Sequence, residues 1–130
     1  MMRLLILLAA LIVGGIITIH TVLQNGSLQR YLDEHPDPRI VPQAEYVIAH
    51  GYYLMGDLEQ SATYFLRISE RYPKSDYSDD AYYYYLQSLD DMNTPRQAMA
   101  DLYQTYVDRF PSGAHFDMVS RRVIMCRNSR

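Results

Sequence analysis

The chain has 130 residues, 12 Lys and Arg against 15 Asp and Glu, a formal net charge of −3 and a hydrophobic fraction of 48%. That is enough for one small domain, and the acidic balance excludes a dedicated nucleic-acid binder. A lone cysteine, Cys126, excludes an internal disulfide scaffold, and the four histidines are too scattered to form a zinc-ligand set.

The first element is the apolar run Leu4 to Leu23, "LLILLAALIVGGIITIHTVL", which contains no Asp, Glu, Lys or Arg. Roughly 20 such residues cross the hydrocarbon core of a bilayer as a helix. Residues 1–23 are therefore predicted to be a transmembrane signal anchor contacting the membrane through 4–23. Arg3 and the amino terminus would lie on the cytoplasmic side. The competing reading is a cleaved signal that releases a soluble periplasmic protein. The following "IITIHTVLQNGS" lacks the Ala-x-Ala pattern such cleavage wants, and no cysteine follows the run as a lipoprotein would need. His20 is read as an interfacial residue, and Gly14-Gly15 as a flat spot for close helix approach.

Residues 24–42 are predicted to be a juxtamembrane helix and a proline-stiffened linker. Leu28, Tyr31 and Leu32 have helical spacing, and Pro36, Pro38 and Pro42 oppose continuation. From residue 43 to 130 the pattern is helical. Ala44, Val47, Ile48, Gly51, Leu54 and Met55 fall on one helix face, and Gly56-Asp57 signals a turn. Leu58, Ala62, Phe65, Ile68 and Tyr72 give a second face that stops at Pro73. In "RYPKSDYSDDAYYYY", the proline and "KSDYS" punctuate, and Asp79 and Asp80 are expected to cap the next helix. Its inward positions are predicted at Ala81, Tyr84, Tyr85, Ser88, Leu89 and Met92. Thr94 is the expected cap of the helix carrying Ala98, Leu102, Tyr106 and Phe110, which stops at Pro111. Phe116, Val119, Val123 and Cys126 mark a last amphipathic helix, placed at 114–127.

This order repeats. "ISERYPKS" and "TYVDRFPS" match, with Pro73 and Pro111 38 positions apart. "AEYVIAHGYYLMGD" and "AYYYYLQSLDDMN" begin 37 apart. A fixed period in the thirties with alternating helix and turn marks a helical-hairpin solenoid, here hairpins 43–73 and 79–111 with a capping helix. The fold class is all-α.

On "GDLEQSATYFLRISERYPKSDYSDDAYYY" and "DRFPSGAHFDMVSRR" the chain resembles the tetratricopeptide repeat (TPR) family. The form is that of bacterial envelope proteins such as the Tol–Pal-associated periplasmic protein and the β-barrel assembly lipoprotein. The likeness runs from about Gln43 to Val123, and departs at Leu86, where the family carries a small residue. The resemblance implies a protein-binding scaffold without catalytic residues or cofactors, whose leading helices line a concave face.

The residues themselves offer no nucleophile–base pair and no phosphate loop, so an enzyme is not expected. The charge is uneven: seven aspartates stand against Arg96 alone between Asp76 and Asp108, and four arginines against one aspartate between Asp117 and Arg130. That pattern is a solvated surface with a basic tail, or a polar partner surface or head-to-tail contact between copies. Two stripes at i, i+4, i+7 spacing stand out: Tyr46, His50, Tyr53 and, 37 positions on, Tyr83, Gln87, Asp90. They are candidates for a groove that takes a protein or peptide partner, or else they pack against neighbouring helices. The expected function is a membrane-anchored adaptor in an envelope assembly, at the bacterial inner membrane with the repeats periplasmic. The alternative is a structural accessory subunit of a membrane complex that packs through its transmembrane helix.

Overall fold

The structure is a computed structural model that describes residues 1–129. They form seven helices and no strand, in two compact units, Met1–Asp37 and Pro38 onward. In the first unit, α1 (Met2–Gln24) has no buried residue, with a mean hydropathy of 2.5 over its most apolar window. Its 23 residues span about 35 Å. Among the described residues it is the one helix long and apolar enough to cross a membrane. Its hydroxyls need no water, because Thr18 and Thr21 donate to the carbonyls of Gly14 and Ile17, each at 2.8 Å. Gly26, with φ 63°, turns the chain into α2 (Ser27–Glu34), which ends with Tyr31 stacked on His35 at 4.4 Å.

The second unit contains α3 (Val41–Leu54), α4 (Leu58–Arg71), α5 (Ser78–Asp91), α6 (Arg96–Arg109) and α7 (Phe116–Asn128). The first four have 14 residues each, and α3, α5 and α7 begin at 41, 78 and 116, which realises the period of 37 to 38. Each helix packs on the next in the chain. Within each pair the link is short, and it turns through left-handed Gly56 (φ 80°) or Asn93 (φ 59°). Between pairs the chain stops at Tyr72-Pro73 and Phe110-Pro111. Tyr72 (φ −127°, ψ 59°) and Phe110 (φ −124°, ψ 63°) adopt nearly the same conformation, since the following proline excludes a helical residue before it.

Pro42 sits inside the first turn of α3, so the helix starts two residues before the predicted boundary. Proline is tolerated there because the amide it lacks would have no helical partner. The buried face of α3 also differs from expectation. Val47 and Leu54 are 65% and 85% exposed, and Val41, Glu45, Ile48, Ala49 and Tyr52 are buried. The apolar pattern missed this face because it carries a carboxylate. Glu45, only 1% exposed, meets Arg67 of α4 at 3.1 Å. Helix α4 follows its predicted face through Ala62, Phe65 and Ile68.

In α5 the fully buried tyrosine is Tyr82, whereas Tyr84 and Tyr85 are half-buried and Met92 is exposed. A helix packed on several neighbours buries a broad arc, and four adjacent tyrosines give periodicity nothing to choose between. The face of α6 is Met99, Ala100, Tyr103 and Tyr106, and the predicted Ala98 is exposed. Tyr82, Leu86, Met99, Tyr103, Tyr106, Val119 and Val123 form the core of the last three helices. Leu86 is fully buried where the resemblance expects a small residue, and α5 and α6 approach each other less closely than the other neighbours do.

Arg67→Ala would take from the buried Glu45 carboxylate the guanidinium 3.1 Å away. We expect it to cost about 3 kcal/mol or more in urea unfolding followed by circular dichroism. Glu45→Leu combined with Arg67→Met should cost clearly less, because that change removes both charges.

Candidate functional site

The six residues singled out by spacing gather into one polar–aromatic network across α3, α5 and α7. Tyr46 meets His50 edge-on at 4.5 Å, Tyr77 at 5.1 Å and Phe65 at 5.8 Å. His50 in turn meets Tyr84 at 4.6 Å. One pair further, Tyr83 lies flat on His115, with centroids 3.9 Å apart and planes 9° apart. Tyr83 and His115 are the counterparts of Tyr46 and Tyr77, so each leading helix presents a tyrosine to the residue that precedes the next leading helix.

The hydroxyl of Tyr53 donates to Asp91, and the amide of Gln87 lies 3.5 Å from the other oxygen of that carboxylate. Arg122 of α7 completes the row. It donates to Gln87 at 3.3 Å and to the Tyr103 hydroxyl at 3.1 Å, and it sits 3.7 Å from Asp90. All six are partly exposed, so they pack on neighbours and still present edges to solvent. Groove and packing are therefore compatible readings.

Tyr77, Tyr84, Asp91, His115 and Arg122 belong to the network and were not among the candidates. The offset of 38 would have found two of them, since it relates His115 to Tyr77 and Arg122 to Tyr84.

The chemistry of the row follows from its shelter. Burial, with Asp80 nearby, pushes Tyr46 up to about 12, and the hydrogen bond to Asp91 does the same for Tyr53, also to about 12. Both are neutral hydroxyls at physiological pH. Burial lowers His50, with Asp80 acting weakly in the other direction. Among the described residues, no three His, Cys, Asp or Glu side chains converge as metal ligands.

Asp79 and Asp80 do not cap α5, which has no side-chain cap. They reach instead to the turn before α7. Asp79 accepts from the Tyr106 hydroxyl and, at 2.8 Å, from the Ala114 amide, and Asp80 meets the His115 ring at 2.7 Å. The Tyr106 hydroxyl accepts from the His115 amide at 3.1 Å. Gly113 is required beside this knot, since a Cβ there would lie 2.6 Å from the Tyr106 hydroxyl and 2.9 Å from Asp79. Thr94 likewise does not cap α6, which begins after Pro95 without a side-chain cap.

Next to the row, Asp90 and Arg122 form one wall of a pocket of about 430 Å³. Asn93, Thr94, Pro95 and Arg96 lie at the start of α6, and Met99, Tyr103, Met125 and Cys126 complete the lining. Comparison with protein-family models, curated proteins and solved structures gave no match, so the site stands on its own chemistry.

Gly113→Ala should destabilise by about 1–3 kcal/mol through overpacking. Gly51→Ala, a helical position with nothing within 4 Å of the added carbon, should stabilise by about 0.5–1 kcal/mol. Thermal unfolding of both variants checks this. Because the folded pKa of His50 lies below its unfolded value of about 6.5, its stabilising effect is complete above that pH. The effect is lost as pH falls further, because the unfolded chain takes up the proton first. The melting temperature should drop between pH 7 and 5, and drop less in His50→Phe.

Proposed function

We propose that this chain is a membrane-anchored, TPR-like protein-binding scaffold or adaptor. It would work by binding alone, in an envelope assembly at a bacterial inner membrane with its helical repeats on the periplasmic side. The observation that carries the reading is the row across α3, α5 and α7. Three helices that begin 37 and 38 residues apart contribute counterpart side chains to a single network. A stacked-hairpin array of this kind offers a continuous surface to an extended segment. Half-exposed tyrosines suit that role, since they combine apolar area and a hydroxyl with few rotatable bonds. An anchor of the length and polarity of α1 confines the search to a surface and raises effective concentration.

Tyr46→Ala combined with Tyr83→Ala should abolish co-purification of partners from a detergent extract while helical circular dichroism is retained. Retained capture, or loss of helicity, would remove the basis of the groove.

A second reading, an accessory subunit that packs through α1, is favoured by the Gly14-Gly15 pair, where two side chains of hydrogen let a neighbouring helix approach closely. Replacing both with leucine should abolish co-purification if the subunit reading holds and leave it intact if the adaptor reading holds.

A further inference from the structure

Each leading helix has a face that looks back along the chain. On α5 that face carries Ala81, Tyr84 and Ser88, and α4 covers it. Ser88 lies 3.4 Å from Ser61, Tyr84 stacks on Phe65 at 5.4 Å, and Ser78 reaches Ser69 at 3.5 Å. The two helices run antiparallel, with small side chains on small ones and ring on ring, and Ala81 is fully buried between them. Thirty-seven positions earlier, the same face of α3 carries Ala44, Val47 and Gly51, with Ile40 and Leu54 at its ends. Here it stands open: Ile40, Val47 and Leu54 are 61%, 65% and 85% exposed. Between residues 40 and 54 the sequence has one charged side chain, Glu45, and that one is buried against Arg67.

We propose that this face is covered by a second copy of the chain, α3 against α3, antiparallel about a two-fold axis. The stripe is self-complementary in that arrangement. Val47 meets the second copy's Val47 at the axis, Ile40 meets the second copy's Leu54, and Ala44 meets the second copy's Gly51. Large falls on large and small on small, as where α4 covers α5. A two-fold axis brings identical residues together, so a charge close to it repels its own copy. The stripe carries none. Beyond its two ends the charges are unlike. Arg39 precedes the stripe and Asp57 follows it, both exposed, and the antiparallel sense brings the two signs together. A partner of another sequence requires neither the palindromic order nor the unlike ends, which favours a second copy. One helix face is small beside the roughly 800 Å² per partner of a stable complex between free proteins. On the anchored reading, on which this step rests, copies held in one bilayer through α1 meet at a raised effective concentration that offsets the small area.

The test is disulfide cross-linking of the full chain in lipid vesicles, with Cys126→Ser removing the native thiol. Val47→Cys, oxidised with copper phenanthroline, should give a covalent dimer at least tenfold faster than Ile124→Cys, an equally exposed position on α7. Ile40→Cys and Leu54→Cys, mixed as separate chains, should cross-link to each other in preference to themselves, as the antiparallel sense demands. Val47→Glu should keep its helical circular dichroism and lower the rate of the Ile40–Leu54 cross-link at least tenfold. The proposal is overturned if Val47→Cys gives no dimer, or if Ile124→Cys reacts as fast. It is overturned equally if Ile40→Cys and Leu54→Cys prefer themselves, or if Val47→Glu has no effect. In native membranes, a Val47→Cys adduct to a different protein in place of the dimer overturns it as well. Flotation of the chain with the vesicles reports on the anchor separately. Gly14→Leu with Gly15→Leu should leave the Val47→Cys dimer in place, which separates this contact from packing through α1.

Discussion

The contact on which the second unit turns is Asp79 with the loop before α7. One carboxylate accepts from a buried tyrosine hydroxyl of α6 and a backbone amide of the loop, so α5 holds the point at which α7 begins. Everything that α7 adds to the site depends on that registration. His115 can lie flat on Tyr83, and Arg122 can reach Gln87 and Tyr103, because the helix starts where Asp79 fixes it. Charged acceptors of this kind are stronger than neutral ones, and partial burial shelters them from water. The close quarters leave room for no side chain at 113.

The two helix pairs solve the same packing problem with different chemistry. The first uses a buried Glu45–Arg67 pair and a cluster of rings around Phe65. The second replaces Glu45 with Tyr82 and sets Arg109 over that ring at 5.0 Å. Arg109 also donates to the Ser69 carbonyl at 3.0 Å and so links α6 back to the end of α4. Burying an ion pair adds little net stability, yet its geometry admits few alternatives. The aromatic clusters are more forgiving, since edge-on and stacked arrangements differ little in energy.

Much of this was legible in the sequence, and the gaps have physical causes. Helix positions and the period were readable because Pro73 and Pro111, Gly56 and the repeated segments punctuate the chain independently of packing. The face of α4 was readable because Ala62, Phe65 and Ile68 are apolar and its surface is charged. The face of α3 was not, since Glu45 lies inside it and Val47 and Leu54 lie outside. The roles of Asp79 and Asp80 were hidden because local spacing suggests a cap, and their true partners lie 27 to 35 residues away. That Tyr46, His50, Tyr53, Tyr83, Gln87 and Asp90 lie along one row was readable from spacing alone, whereas Arg122 needed the repeat carried one helix further.

The spacing between α5 and α6 has a consequence for how the array comes apart. Leu86 is fully buried in the core those two helices share, and the seam between them relies on tyrosine rings and on polar ties such as Asp79 and Arg122. On the other side of that seam, α3, α4 and α5 meet through small side chains such as Ala49, Ser61 and Ser88. Fraying should therefore begin at the C-terminal end, with α6 and α7, which pack closely on each other, lifting away as one cooperative piece. Their amide protons should exchange with solvent sooner than those of the three helices left behind.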